Sequence, residues 1–275
     1  SEMQNSRRDH IVSCLNIVWE SMSELCAPFT EAQWKLATDC AGWSVQDQLS
    51  HITGSESRLA GYPAIDHTPP DSPHVKNQIG AANEIQVDYR RSWPGSKALE
   101  EFNEVTAKRR EMLVDLTEDD LAVETQNPTG PGTLADSMYI RVFDAWVHEQ
   151  DIRRAVGVAG HFEGLVAEYS MNRMADVMPY VVGRRAAAPD GATALFQITG
   201  PSGLSMPIGV TGGRASRLDS KPDEPTVTLE MDSESFLRLC CGRVDPDEIL
   251  KSDDVRIAGN IRLGEAIVRQ MNYMP

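Results

Sequence analysis

Read as apolar and polar positions, the first 160 residues carry the period of buried helices. Ile11, Leu15, Val18, Met22 and Leu25 recur at alternating intervals of four and three, and Pro28 closes the segment, which predicts a helix from about 5 to 26. In GWSVQDQLSHI, Ser44 is placed as an N-cap with Asp47 three residues on, and Val45, Leu49, Ile52 and Leu59 form the apolar stripe of a second helix. His51 falls about 120° from the middle of that stripe, toward a flank where a neighbouring helix packs, while Glu56 lies inside it. Residues 62–95, rich in Pro, Asp, His and Asn, show no sustained period and predict a long connection with a short helix around 77–91. Leu99, Phe102, Leu113 and Leu116 mark a third helix, followed by a TEDDL turn. After NPTGPG, Thr133 and Asp136 open a fourth that runs from about 134 to Gly157, a residue suited to a left-handed helix end. Four helices with one long crossover predict a bundle.

From about residue 161 the pattern changes. One more helical stretch, LVAEYSMNRMADVMPYVV, gives way to the β-type runs TALFQITG, GLSMPIGV and PTVTLEM, broken by Gly, Pro and Asp. SESFLRLCCG and NIRLGEAIVRQMN return to helical spacing, with DVRIAG as a strand between them. The expected organisation is therefore a four-helix bundle over 1–160 and a smaller α+β domain over 161–275.

Composition narrows the classes of partner. A formal net charge of -15, with 41 acidic against 26 basic residues, opposes binding to nucleic acid or an anionic membrane. The five cysteines, at 14, 26, 40, 240 and 241, suggest no disulfide framework, and the stretch SEMQNSRRDH shows no apolar run resembling a signal peptide. A cytoplasmic protein with a small-molecule ligand is the expectation, as monomer or homodimer.

The chemistry concentrates in DAWVHEQD, residues 144–151. On a helix, Asp144, His148 and Asp151 share one stripe with Ile140, Val147 and Ala155, whereas Arg141, Glu149 and Arg153 fall elsewhere and Glu149 reads as solvated surface. Bundle cores build metal sites from such i, i+4 pairs and a ligand on a facing helix, and His51 is the natural third. Two nitrogens and one carboxylate suit zinc with an open position, and nickel, iron or cobalt accept the same set. Asp151, one turn on, is placed to orient His148. The same spacing also fits a salt-bridging helix face and a capped, half-buried histidine. HEQDI is not a zincin motif, since Ile152 stands where its second histidine belongs. Neither a P-loop nor a nucleophile elbow is present, and GPSGLSMPIG and VTGGRA read as turns between strands.

GWSVQDQLSHI and RVFDAWVHEQDIRRAVG together resemble the two motifs of the mycothiol-dependent maleylpyruvate isomerase family, whose members are DinB-like metal-binding four-helix bundles. The tail, from PTVTLEMDSESFLRLCCGRVDP to DVRIAGNIRLGEAIVRQMN, is similar to the sterol-carrier-protein-like α+β domain that many members carry after the bundle. The resemblance implies a divalent metal, zinc first, held by His51, Asp144 and His148; the acidic position is commonly Glu in the family and one methylene shorter here. It implies mycothiol as thiol cosubstrate and a transferase or isomerase acting on a small electrophile. Arg153, Arg154, Arg214 and Arg217 are the candidate anchors for acidic substrate groups. The competing expectation is a non-catalytic small-molecule or lipid-binding protein whose metal site is structural or regulatory.

Overall fold

The computed structural model describes residues 6–274, which divide into two compact units, one up to His161 and the other from Phe162 onward. In the first unit, α1 (Arg7–Cys26), α3 (Val45–Leu59), α5 (Gly95–Val114) and α7 (Leu134–Val156) pack in a ring, each against two of the others. The short α2 (Glu31–Trp34) and α6 (Glu118–Leu121) lie in the connections.

Local chemistry sets where the helices begin. Ser44 accepts from the Asp47 amide while the Asp47 carboxylate accepts from the Ser44 amide, and Thr133 and Asp136 do the same at the start of α7. At its far end α7 stops at Gly157, whose φ of 73° is the left-handed conformation that a side chain disfavours. The predicted stripes of α1 and α3 lie in the core, with Ile11, Leu15, Val18, Met22, Val45, Leu49 and Ile52 fully buried beside Phe102 of α5; on α7 the core residue is Trp146, fully buried, whereas of the predicted Ile140, Val147 and Ala155 only Val147 is buried and the other two are half-buried. Glu56, the polar member of the α3 stripe, meets Arg109 of α5 at 2.9 Å, with Glu56 fully buried and Arg109 6% exposed. A buried charge here is tolerated because its partner is buried with it.

Three parts of the first unit differ from the pattern. The connection after α3 contains α4 (Gln78–Arg90), a helix of 13 residues that packs on α3. His67 and His74 pin the preceding coil to it through Asp88 (2.7 Å) and Glu84 (2.9 Å). The NPTGPG segment is a hairpin, β1 (Glu124–Asn127) with β2 (Gly130–Thr133), rather than a simple turn. Glu149 is fully buried, not solvated: it bonds the Ser21 hydroxyl at 2.9 Å, Arg153 at 2.8 Å and His161 at 2.8 Å. The reason is that α7 is covered by α1, by α3 and by the strap 157–161, whose carbonyls accept from Trp146, Gln150 and Arg153. A helix enclosed on three sides has no solvated face in its middle.

The second unit opens with α8 (Leu165–Ala175), α9 (Met178–Tyr180) and one π-helical turn, 181–185. A five-stranded sheet follows, in the order β5 (Arg214–Arg217), β4 (Leu204–Thr211), β3 (Thr193–Thr199), β6 (Val227–Asp232), β7 (Val255–Gly259), antiparallel except for the β3–β6 pair. Val227, Leu229 and Met231 alternate inward along β6 as the period of two requires. They pack under α10 (Ser233–Cys240) and α12 (Ile261–Gln270); the short α11 (Pro246–Ile249) lies between β6 and β7 in the chain. Strand β5, which the sequence pattern left within a turn, forms the edge beyond β4. Among the described residues no helix is long and apolar enough to cross a membrane.

Candidate metal centre

The capped helices α3 and α7 run side by side, and their facing turns bring His51 and His148 onto one carboxylate. His51 Nε2 lies 2.9 Å from Asp144 Oδ2, and His148 Nε2 lies 3.2 Å from Asp144 Oδ1. The two imidazoles meet edge to face with centroids 4.6 Å apart, and His51 and His148 are 5% and 7% exposed. Although Asp144 is a methylene shorter than Glu, both of its oxygens reach a ring nitrogen.

The proton positions follow from the surroundings. The Thr38 hydroxyl donates to the Trp43 carbonyl at 2.8 Å and accepts from Gln48 Nε2 at 2.9 Å, so the Gln48 amide oxygen is the atom turned to His148 Nδ1. Asp151 Oδ2 lies 3.2 Å from the same Nδ1. With two oxygens against it, Nδ1 carries a proton, and in the neutral ring the Nε2 lone pair then points at Asp144 Oδ1. Two acceptors face each other across 3.2 Å, an arrangement that needs a proton or a cation between them.

Electrostatics express the same demand. Burial alone would lower the His148 pKa, but the Asp144 charge and hydrogen bond, together with Asp151, outweigh it and raise the value from that of an ordinary imidazole. For His51 burial dominates and lowers the pKa, despite the opposing pull of Asp144. Burial raises the Asp144 carboxyl, yet the charges of His51, Arg141 and His148 outweigh it and hold the group well below its ordinary value. The donor set fits a divalent cation of the zinc kind: two imidazole nitrogens and a carboxylate, one His backed by an amide and a second carboxylate.

A second set, Cys40, His148 and Asp151, also brings ligand atoms within 4.8 Å of one another, with Cys40 Sγ 3.4 Å from Asp151 Oδ2. It competes poorly for a cation, because the Arg154 guanidinium already bonds Asp151 and the Gln48 oxygen occupies His148 Nδ1. Cys14, Cys26 and Cys240 are buried, and burial pushes their thiols up, that of Cys14 to about 11.

Of the arginines singled out in the sequence, Arg153 is held by Glu149, Ser21 and the Val158 carbonyl, and Arg154 bridges Asp39 (2.9 Å) and Asp151. Both are engaged by their own chain. Arg214 and Arg217 lie exposed on the edge strand β5 of the second unit. The arginine beside the cluster is instead Arg141, whose Nη2 lies 3.1 Å from Asp144 Oδ2 and which is 8% exposed. The available signal was its i, i+3 spacing to Asp144, which puts both on one side of α7.

Trp43 and Gln48 were also missed as site residues. The Trp43 ring stands 5.3 Å from His51 and 5.8 Å from His148 and so walls the cluster. Its indole N–H donates to Glu84 Oε2 at 3.1 Å. Before it, Gly42 has a φ of 79°, and a Cβ there would come within 2.3 Å of the His74 ring, so only glycine lets that loop close over the site.

Comparison with known proteins bears on both units. The family model described as the mycothiol maleylpyruvate isomerase N-terminal domain matches residues 15–153, and the MDMPI C-terminal domain model matches 170–259. Among solved structures, the mycothiol-dependent maleylpyruvate isomerase is similar with a TM-score of 0.58 at 15% identity, over 91% of this chain and 92% of that one. A histidine-to-alanine mutant of the mycothiol-dependent maleylpyruvate isomerase matches over the same shares at the same identity with a TM-score of 0.56. At such identity the likeness concerns the fold alone. Sterol Carrier Protein 2 from Yarrowia lipolytica aligns at 11% identity over 39% of this chain and 93% of that one, with a TM-score of 0.28 that carries no argument. No curated protein matches the sequence.

Proposed function

The chain belongs to the mycothiol maleylpyruvate isomerase family, and from that premise we propose that it is a metal- and mycothiol-dependent isomerase of a small unsaturated electrophile. The family is one of thiol-dependent enzymes, which sets aside the expectation of a non-catalytic carrier. The observation that carries the metal reading is the convergence of both Nε2 atoms on Asp144, with the far nitrogen of His148 anchored by Gln48 and Asp151.

His51, Asp144 and His148 would hold the ion. A divalent ion there supplies a Lewis acid that lowers the pKa of a thiol bound beside it. The chain's own residues do the rest. Gln48 and Asp151 keep the His148 Nδ1 proton in place, so that Nε2 stays turned inward. Trp43 and the burial of both histidines keep bulk water off the cluster, which strengthens every charge interaction inside it.

In the isomerisation, a C–S bond forms as the thiol sulfur adds to a polarised carbon–carbon double bond, and the neighbouring carbon takes up a proton. Rotation about the resulting single bond and loss of that proton with cleavage of the C–S bond return the thiol and the isomerised alkene. A transferase would instead retain the conjugate.

The test is metal analysis of the purified chain beside His148→Ala, with turnover measured on maleylpyruvate at limiting mycothiol. We expect zinc near one per chain in the wild type, its loss in the variant, and many turnovers per thiol. Equal, negligible metal in both proteins refutes the metal centre, and one thiol consumed per product refutes the isomerase in favour of the transferase.

A further inference from the structure

We propose that Arg141 is the anchor for a carboxylate group on the electrophilic substrate. The inference rests on the proposed function in placing the substrate at the His51–Asp144–His148 cluster. Arg141 is 8% exposed, and its guanidinium approaches the cluster through the Nη2 contact to Asp144 Oδ2 at 3.1 Å. Its other terminal nitrogen, Nη1, is buried with no hydrogen-bond partner. A buried cationic N–H left unpaired is costly, and chains seldom retain one unless something pairs with it. If neutralising Asp144 were the whole role, the Nη2 contact would meet it, and a buried Nη1 would add only cost.

Arg154 already spans two carboxylates, Asp39 and Asp151, so its charge is offset within the chain, whereas Arg141 pairs with Asp144 through Nη2 alone. Arg141 presents the matching donor: Nη1 bears two N–H groups, and the planar fork suits a carboxylate better than an ammonium would. A neutral electrophile leaves Nη1 unpaired, so the residue selects for a charged substrate.

The test is isothermal titration of the zinc-loaded full chain with maleate, comparing wild type, Arg141→Gln and Arg141→Lys, with metal content measured on each. Loss of one charged hydrogen-bond donor should weaken maleate binding by about 10- to 100-fold in Arg141→Gln. Arg141→Lys keeps the charge without the fork and should fall between, with zinc content unchanged in both. Dimethyl maleate, which lacks the charge, should bind no differently to the variants than to wild type. Equal maleate affinity in wild type and both variants overturns the anchor, as does maleate that binds none of them. Zinc lost together with maleate in both variants overturns it too, because Arg141 would then only support Asp144. If no protein holds zinc yet maleate binding still falls in the variants, the anchor stands and the metal reading fails.

Discussion

Replacing Gln48 by Leu removes one amide from the interior and leaves every proposed metal ligand in place. Gln48 is fully buried and joins three groups: its oxygen faces His148 Nδ1, and its nitrogen donates to Thr38 Oγ1, whose own proton goes to the Trp43 carbonyl. Leu is of similar length and larger by about one methylene, so the packing penalty is modest beside the loss of the acceptor. What is lost is the acceptor that holds the His148 proton on Nδ1. Outer partners of this kind contribute about 10- to 100-fold in metal affinity, or about 1.4–2.8 kcal/mol. Asp151 Oδ2, 3.2 Å from the same nitrogen, remains as a second acceptor, so the loss should fall nearer the lower figure. Asp151→Ala, which removes that acceptor, should act alike, and the double variant should lose more than the two single effects combined, since each acceptor covers for the other. The assay is zinc competition against a chelator of known affinity at fixed pH, with far-ultraviolet circular dichroism to confirm the fold. Zinc affinity of Gln48→Leu within twofold of wild type, while His148→Ala abolishes binding, would refute the claim that the amide orients the ring.

Two further outcomes test the scaffold. Glu56→Ala leaves Arg109 buried without its carboxylate and should cost about 3–5 kcal/mol in urea unfolding, whereas pairing Glu56→Leu with Arg109→Leu should recover most of it; equal losses in both would argue against an uncompensated charge as the cause. For Glu84, burial raises the carboxyl pKa, but hydrogen bonds from His74, Arg91 and Trp43 outweigh it and hold the value below normal. A carboxyl depressed in the folded state contributes stability above its unfolded pKa of about 4.3 and loses it as pH falls through the folded value. Glu84→Gln should therefore show a shallower decline in stability between about pH 5 and 3 than wild type, and identical slopes would remove Glu84 from the acid response.

Much of this protein is written in local pattern. The stripes of α1 and α3, the caps at Ser44 and Thr133 and the stop at Gly157 depend on neighbours within a turn or two, and a helix period is visible without knowing what it packs against. The i, i+4 relation of Asp144 and His148 is of the same kind. Which residues surround that pair depends on contacts between segments far apart in sequence. Gln48 reaches His148 across 100 positions and Cys40 reaches Asp151 across 111, distances over which no periodicity operates. Arg141 and Glu149 show the difference most clearly: a helical wheel can say which residues share a face, but not how many faces the fold covers. With α1, α3 and the 157–161 strap all closing on α7, Glu149, which the pattern gives to solvent, is a buried charge, and burial is what gives Arg141 its chemical meaning.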